Sequence, residues 1–141
     1  MKNLMSRKKK GFTLVELLVV VAIIAILMLL AIPKFTSQTK GATIRTFEGN
    51  VRTLASQVVQ EVAATGGNIN TKTNKNIEEF LKTIKDKPNS ATYTAADDKI
   101  TCTLTVDKEN YVLEVDSSGQ IKRTAPTDKD DIGGVKLSFA K

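Results

Sequence analysis

The sequence predicts an α+β protein: one long N-terminal helix, apolar in its first half and amphipathic in its second, packed on a C-terminal antiparallel β-sheet. Three observations carry this. From Leu17 to Ile32 there is no charge, amide or hydroxyl. Ile44, Phe47, Val51, Leu54, Val58 and Val62 then recur at helical spacing. Residues 100–106 alternate strictly, Ile100, Cys102, Leu104 and Val106 against Thr101, Thr103 and Thr105, which is the pattern of a strand with one buried face.

The first segment, residues 1–11, is basic: Lys2, Arg7, Lys8, Lys9 and Lys10 with no acid. Five of the chain's six net positive charges belong to it, because outside it 16 cations face 15 anions. A high overall charge therefore does not imply a basic face for nucleic acid on the folded domain. From Phe12 to Ile32, 21 residues would span about 31 Å as a helix, close to a bilayer's hydrocarbon thickness. The preceding cations are expected to stay on the cytoplasmic side, leaving the C-terminal domain outward. A cleaved secretory signal would show a shorter apolar run and small residues before the mature domain. Here the apolar run passes straight into the amphipathic stretch.

Residues 12–33 are thus expected to form a membrane helix, and 34–65 its amphipathic continuation. The stripe from Ile44 to Val62 should face a sheet, while Arg45, Glu48, Arg52, Ser56 and Gln60 lie opposite. Pro33 is expected to bend the helix rather than end it. Gly66 and Gly67 stop it. In the head, 66–141, residues 68–76 read as a polar loop. Asn76 with Glu79 resembles a capping box opening a short helix over about 77–86, with Ile77, Phe80, Leu81 and Ile84 buried. Strands follow over 100–106, 111–115, 120–124 and 135–139, joined by turns at Asp107–Asn110 and Ser117–Gly119, with a loop over 125–134. Tight turns between successive strands imply antiparallel pairing over about 100–140.

Chemistry-bearing residues are few. The chain has no histidine and no tryptophan, which removes the commonest general base and metal ligand. No nucleophile–base pair or metal cluster is visible, so the sequence argues against an enzyme, and no cofactor is expected. Cys102 is alone; it cannot form an intramolecular disulfide and shares a face with Ile100 and Leu104, as a buried, inert thiol would. Asp128, Asp130 and Asp131 lie close together but lack the EF-hand ligand order and read as a solvated acidic loop. Lys72, Lys75, Lys82, Lys85 and Lys87 lack the interleaved aromatics of a nucleic-acid surface and read as a solvated face. DNA or surface ligands are unsupported as partners.

One residue contradicts its surroundings. Glu16 puts a carboxylate near the start of a stretch that wants lipid, at a cost of a few kcal/mol. It reads either as an acid reaching the headgroups or as a group kept for a partner. The stretch Gly11-Phe12-Thr13-Leu14-Val15-Glu16, behind Arg7–Lys10 and ahead of the apolar run, resembles the N-terminus of a type IV prepilin. Gly11, Phe12 and Glu16 fall on that family's motif, and Pro33 on its helix-bending proline. The resemblance implies that a membrane-embedded prepilin peptidase cuts after Gly11 and N-methylates Phe12, leaving Phe12–Lys141. It implies that Glu16 meets the Phe12 amine, of its own chain or of a neighbour, as subunits dock. It also implies partners: further copies in a helical filament, the pilus assembly platform, minor pilins, and membrane lipid before assembly. Beyond Pro33 the resemblance is architectural. Many pilins close a C-terminal loop with a cysteine pair; with Cys102 alone, other contacts must hold that loop. The resemblance covers a pilus subunit and, alternatively, a pseudopilin of a type II secretion system or competence pilus. A single-pass membrane-anchored binding protein that never polymerises is the reading from a different class.

Overall fold

The fold is seen in a computed structural model that describes residues 11–67, 69, 75–84, 87–96 and 98–140. The leader cluster Arg7–Lys10, Lys72, Lys85 and most of the loop assigned to 68–76 lie outside these residues. The chain forms two compact units, one ending at Thr36 and one beginning at Ser37.

Helix α1 runs Leu14–Thr65 without interruption, with Pro33 inside it. In the first unit every residue from Leu14 to Leu30 is exposed. The stretch is long and apolar enough to cross a membrane, and none of it is buried within the protein. At its other end α1 stops where the sequence said it would. Gly66 and Gly67 adopt φ of 84° and 109°, a region open to glycine, and both amides bond the Val62 carbonyl at 3.0 and 3.1 Å.

The second unit packs the amphipathic part of α1 on a four-stranded antiparallel sheet, β1 (Ala91–Ala95), β2 (Lys99–Val106), β3 (Glu109–Asp116) and β4 (Ile121–Ala125), in that spatial order. Ile44, Phe47, Val51, Leu54 and Val58 are buried against Ile100, Cys102, Leu104, Tyr111, Leu113 and Val115, with Val62 half-buried at the margin. Phe47 is the centre of this contact, its ring 5.5 Å from Tyr111 and 6.0 Å from Tyr93 between centroids. A head fragment beginning at Ser37 is expected to be a soluble, folded monomer in dilute solution. In it, Phe47→Ala should cost about 3–5 kcal/mol, the range for deleting a fully buried phenylalanine. Urea denaturation reads this directly, and a loss below about 1 kcal/mol would mean the stripe does not cover the sheet.

Several expectations need correction. The sheet has a strand the sequence reading left unassigned, β1. The short helix α2 runs Lys75–Thr83 rather than 77–86. Asn76 lies inside it and donates its side-chain amide to Glu61 Oε1 at 2.9 Å, so it is not the cap. The last strand is not part of the main sheet. Val135–Lys136 (β6), within the expected strand, pairs with Asp131–Ile132 (β5), within the expected loop, in a separate two-stranded ribbon. Leu137–Ala140 continue as irregular chain, linked to β4 by the Arg123 amide bonding the Ala140 carbonyl at 3.2 Å.

Two turns aim the head against α1. Asp107 and Lys108, between β2 and β3, both have positive φ (52° and 67°), as a two-residue hairpin turn of this twist requires. Asp107 forms an ion pair with Lys40 of α1. Between β3 and β4, Asp116 Oδ1 accepts the Ser118 amide (2.9 Å), the Ser118 hydroxyl (2.6 Å) and the Gln120 amide (3.0 Å). Gly119, at φ 78°, comes so close to the helix that a Cβ there would lie 2.4 Å from Val59 Cγ2.

Candidate functional site

The start of α1 and the C-terminal segment are the two places where polar chemistry is concentrated. At the first, Gly11 to Thr13 precede the helix and Phe12 is 87% exposed. Thr13 and Glu16 form a reciprocal cap. Glu16 Oε2 accepts the Thr13 amide and hydroxyl, each at 2.8 Å, and Thr13 Oγ1 accepts the Glu16 amide at 3.3 Å. This is the Thr-x-x-Glu capping box, and it satisfies amides that an apolar helix start would otherwise leave open. The sequence signal of this cap is the spacing T-L-V-E, in which Thr13 is as necessary as Glu16. Glu16 Oε1 makes no hydrogen bond among the described residues. Further along, Pro33 has no N–H for the Leu29 carbonyl, and the helix nevertheless continues past it. Thr36 Oγ1 donates to the Ile32 carbonyl at 3.0 Å.

The second cluster centres on Glu48, which the sequence reading placed on the solvent face of α1. It is buried, only 1% exposed. The reason is geometric: Glu48 lies four residues after Ile44 and three before Val51, on the buried stripe itself. Four donors surround its carboxylate. Oε1 accepts the Tyr111 hydroxyl at 2.9 Å and the Ser138 amide at 2.8 Å; Oε2 accepts the Ser138 hydroxyl at 2.6 Å and Arg45 Nη1 at 2.8 Å. Burial pushes the Glu48 carboxyl up, but the bonds from the Ser138 hydroxyl and amide, then Arg45 and Tyr111, outweigh it and hold the pKa below the usual carboxylate range. Burial, and then donation to Glu48, raise the pKa of the Tyr111 hydroxyl.

Arg45 extends the contact, donating to the Lys136 carbonyl at 2.9 Å and to the Ser138 hydroxyl. Arg52 sits over the Phe139 ring, 4.9 Å from its centroid. From the sheet side, Arg123 is 3% exposed and reaches the Lys129 carbonyl at 3.0 Å and the Asp130 carboxylate. Arg123 shares the period-two face of Ile121 and Ala125, so strand periodicity turns it inward. Two buried charges, one on α1 and one on β4, therefore fasten residues 129–140. These are the contacts that hold the C-terminal loop without a cysteine pair.

The remaining candidates fall as follows. Cys102 is buried and its thiol is pushed up to about 12 by desolvation, which leaves it protonated at neutral pH. Asp130 pairs with Arg123, and Asp131 accepts the Gly134 amide at 3.3 Å. Lys82 pairs with Glu78 at 2.6 Å, and Lys87 lies over the Tyr93 ring.

The junction at Gly11 and Phe12, the capped acid at Glu16 and the exposed apolar helix invite comparison with known proteins. Residues 6–32 match the family model for the prokaryotic N-terminal methylation motif. This is the prepilin-type signature. It ends at residue 32, so it speaks for the N-terminal segment. No curated protein and no solved structure matched the chain. The motif supports a type IV pilin-like or pseudopilin-like protein in general and points to a structural subunit. It implies processing by a prepilin peptidase and assembly with other subunits. With the apolar helix, it fits a membrane-anchored protein that is later extracellular. The long helix and the four-stranded antiparallel sheet form the α+β arrangement the sequence predicted, similar to that of a pilin.

Proposed function

We propose that this chain is a type IV pilus subunit that catalyses nothing and is itself the substrate of processing. The observation that carries the reading is the methylation motif placed on a helix whose apolar surface, among the described residues, has no cover. Prepilin peptidase cuts between Gly11 and Phe12 and methylates the Phe12 amine. Arg7, Lys8, Lys9 and Lys10 set the topology with the head outward and leave with the leader. The single-pass protein is stored in lipid and handed to the assembly platform. It then polymerises with its own kind and with minor pilins through residues 12–33, Pro33 supplying a bend where helices crowd. Glu16 has one oxygen bonded to Thr13, and the other, without a hydrogen bond among the described residues, accepts the methylated amine of an adjoining subunit. Adhesion and twitching motility are the functions such a filament would serve.

Intact-mass measurement of protein sheared from the cell surface tests this. The expected species begins at Phe12, carries one methyl group and lacks the leader's five cations. Gly11→Val should leave the full-length chain in the membrane, because a β-branched side chain enters a site shaped for glycine. Surface protein that retains Met1, or is cut elsewhere, would sink the reading. Long fibres seen by electron microscopy would separate a pilus from a secretion pseudopilus.

A further inference from the structure

Strand β1 is an edge of the sheet: β2 lies on one side, and no strand lies on the other among the described residues. The Thr105 amide bonds the Ser90 carbonyl at 3.2 Å and the Ala96 amide bonds the Lys99 carbonyl at 2.9 Å, so even-numbered residues bond to β2. Tyr93 and Ala95 must then aim their N–H and C=O groups outward, as must Ala91. Of these groups only the Ala91 amide has a backbone partner among the described residues, the Pro88 carbonyl at 2.9 Å. Natural edges are blunted by charge, proline or a bulge, and Ala91–Ala95 has none of these.

A second copy of the chain does not fit this edge. Two β1 strands joined antiparallel about a two-fold axis would reverse the part of α1 packed on each sheet, and copies anchored in one membrane point the same way. Head-to-tail joining would bring up a neighbour's β4, whose edge is taken: the Arg123 amide bonds the Ala140 carbonyl at 3.2 Å. The occupant is therefore a segment of another protein, and the edge prescribes its chemistry. Donors and acceptors alternating along a strand are matched together by another extended backbone.

The side chains follow from what lies beside the edge. Residues placed opposite Ala91, Tyr93 and Ala95 share their face of the sheet. There Tyr93 and Ala95 border a groove of about 480 Å³ with Leu81, Ile84 and Lys87. Leu81 and Ile84 are half-buried and call for apolar side chains. Lys82 is already paired with Glu78 at 2.6 Å. Lys87 is exposed, lies 5.9 Å from the Tyr93 ring centroid and has no carboxylate partner among the described residues, so it calls for an acid. On the other face Thr92 and Thr94 are exposed and suit polar neighbours. We propose that the free edge of β1 is a docking site for an extended acidic peptide of a partner protein. The peptide adds antiparallel as a fifth strand, with one acid between apolar side chains over the groove and polar residues between them. The site rests on the membrane anchor and not on the pilus reading.

The test uses the full-length chain in phospholipid nanodiscs and a capped synthetic peptide in which threonines alternate with valine, glutamate and valine. Exchange of single amide hydrogens is followed by NMR. A five-residue strand is only about 17 Å long, so the peptide is titrated to about ten times a dissociation constant of roughly 1 mM. The expected result is a saturable slowing of exchange, at least about fivefold, at the Tyr93 and Ala95 amides, with the β2-bonded Thr92 and Thr94 amides unchanged. The same peptide with lysine in place of glutamate should protect neither. Lys87→Glu should reverse that preference, which a variant that merely misfolds cannot do. Ala95→Pro removes an outward N–H but no β1–β2 bond, and should abolish protection at Tyr93. No protection, equal protection by the two peptides in wild type, or protection that survives Ala95→Pro would each overturn the proposal. So would slow exchange at Tyr93 and Ala95 without peptide that disappears when each nanodisc holds one chain, because a second copy would then hold the edge.

Discussion

Glu48→Ala is expected to be among the most damaging single changes in the head, at about 3–5 kcal/mol, the range for removing one partner from a buried charged cluster. The carboxylate is the acceptor for the Tyr111 hydroxyl and for both the amide and the hydroxyl of Ser138. Without it, the buried Tyr111 hydroxyl loses its partner at roughly 1–3 kcal/mol, and the C-terminal segment loses the two Ser138 bonds that tie it to α1. Against a total stability of about 5–15 kcal/mol for a domain, the segment should detach or the head unfold. Glu48→Gln should be milder but still costly, because an amide presents one acceptor oxygen and a donating NH₂ to a site built from four donors. The same residue predicts a pH dependence. Its folded-state pKa lies below the unfolded value, so the unfolded chain takes up the proton first. The stabilisation is present above the ordinary carboxylate range and is lost as pH falls through the lower folded value. Urea denaturation of the head at about pH 7 and about pH 3 should show a large acid-induced loss in the wild type and a smaller one in Glu48→Ala. Identical losses in both would remove Glu48 from the acid response.

What the sequence revealed and what it hid have physical reasons. The apolar stretch to Ile32, the stripe from Ile44 to Val58 and strands β2 and β3 were legible because each buries one face at a regular period. The prepilin-type segment was legible because its residue order is local. Glu48 was hidden because it was sorted by charge and not by angle; at this position four hydrogen bonds outweigh the cost of burial, and the spacing from Ile44 to Val51 already placed it inside. Arg123 was hidden in the same way on β4. Strand β1 escaped because its alternation is alanine and tyrosine against threonine, too weakly amphipathic to stand out between Pro88 and Asp98. The ribbon of β5 and β6 holds only two residues per strand, too few for any period to show.

Replacement of Glu16 should have the largest effect on assembly. The structure sharpens the test, because Glu16 has two jobs that different substitutions separate. It caps the helix through Thr13, and in the proposed filament it neutralises the Phe12 amine of an adjoining subunit. Glutamine at this position keeps an acceptor for the capping box and removes the charge. Alanine removes both, at a capping cost of about 0.5–2 kcal/mol. Membrane insertion should be unchanged or slightly improved by either, since a charge leaves the apolar stretch. Processing should also survive, because Gly11 and the basic cluster remain. An incoming subunit, however, would bury an amine without its counter-charge, a loss of about 3–5 kcal/mol. Surface fibres should therefore fall at least tenfold for Glu16→Gln and Glu16→Ala alike, while the membrane pool stays constant or grows. Immunoblots of sheared surface protein against the membrane fraction measure both quantities. If Glu16→Gln assembles as well as wild type while Glu16→Ala does not, the residue serves only as a helix cap. If both assemble normally, Glu16 has no part in docking, and a membrane-anchored protein that does not polymerise becomes the stronger account of the chain.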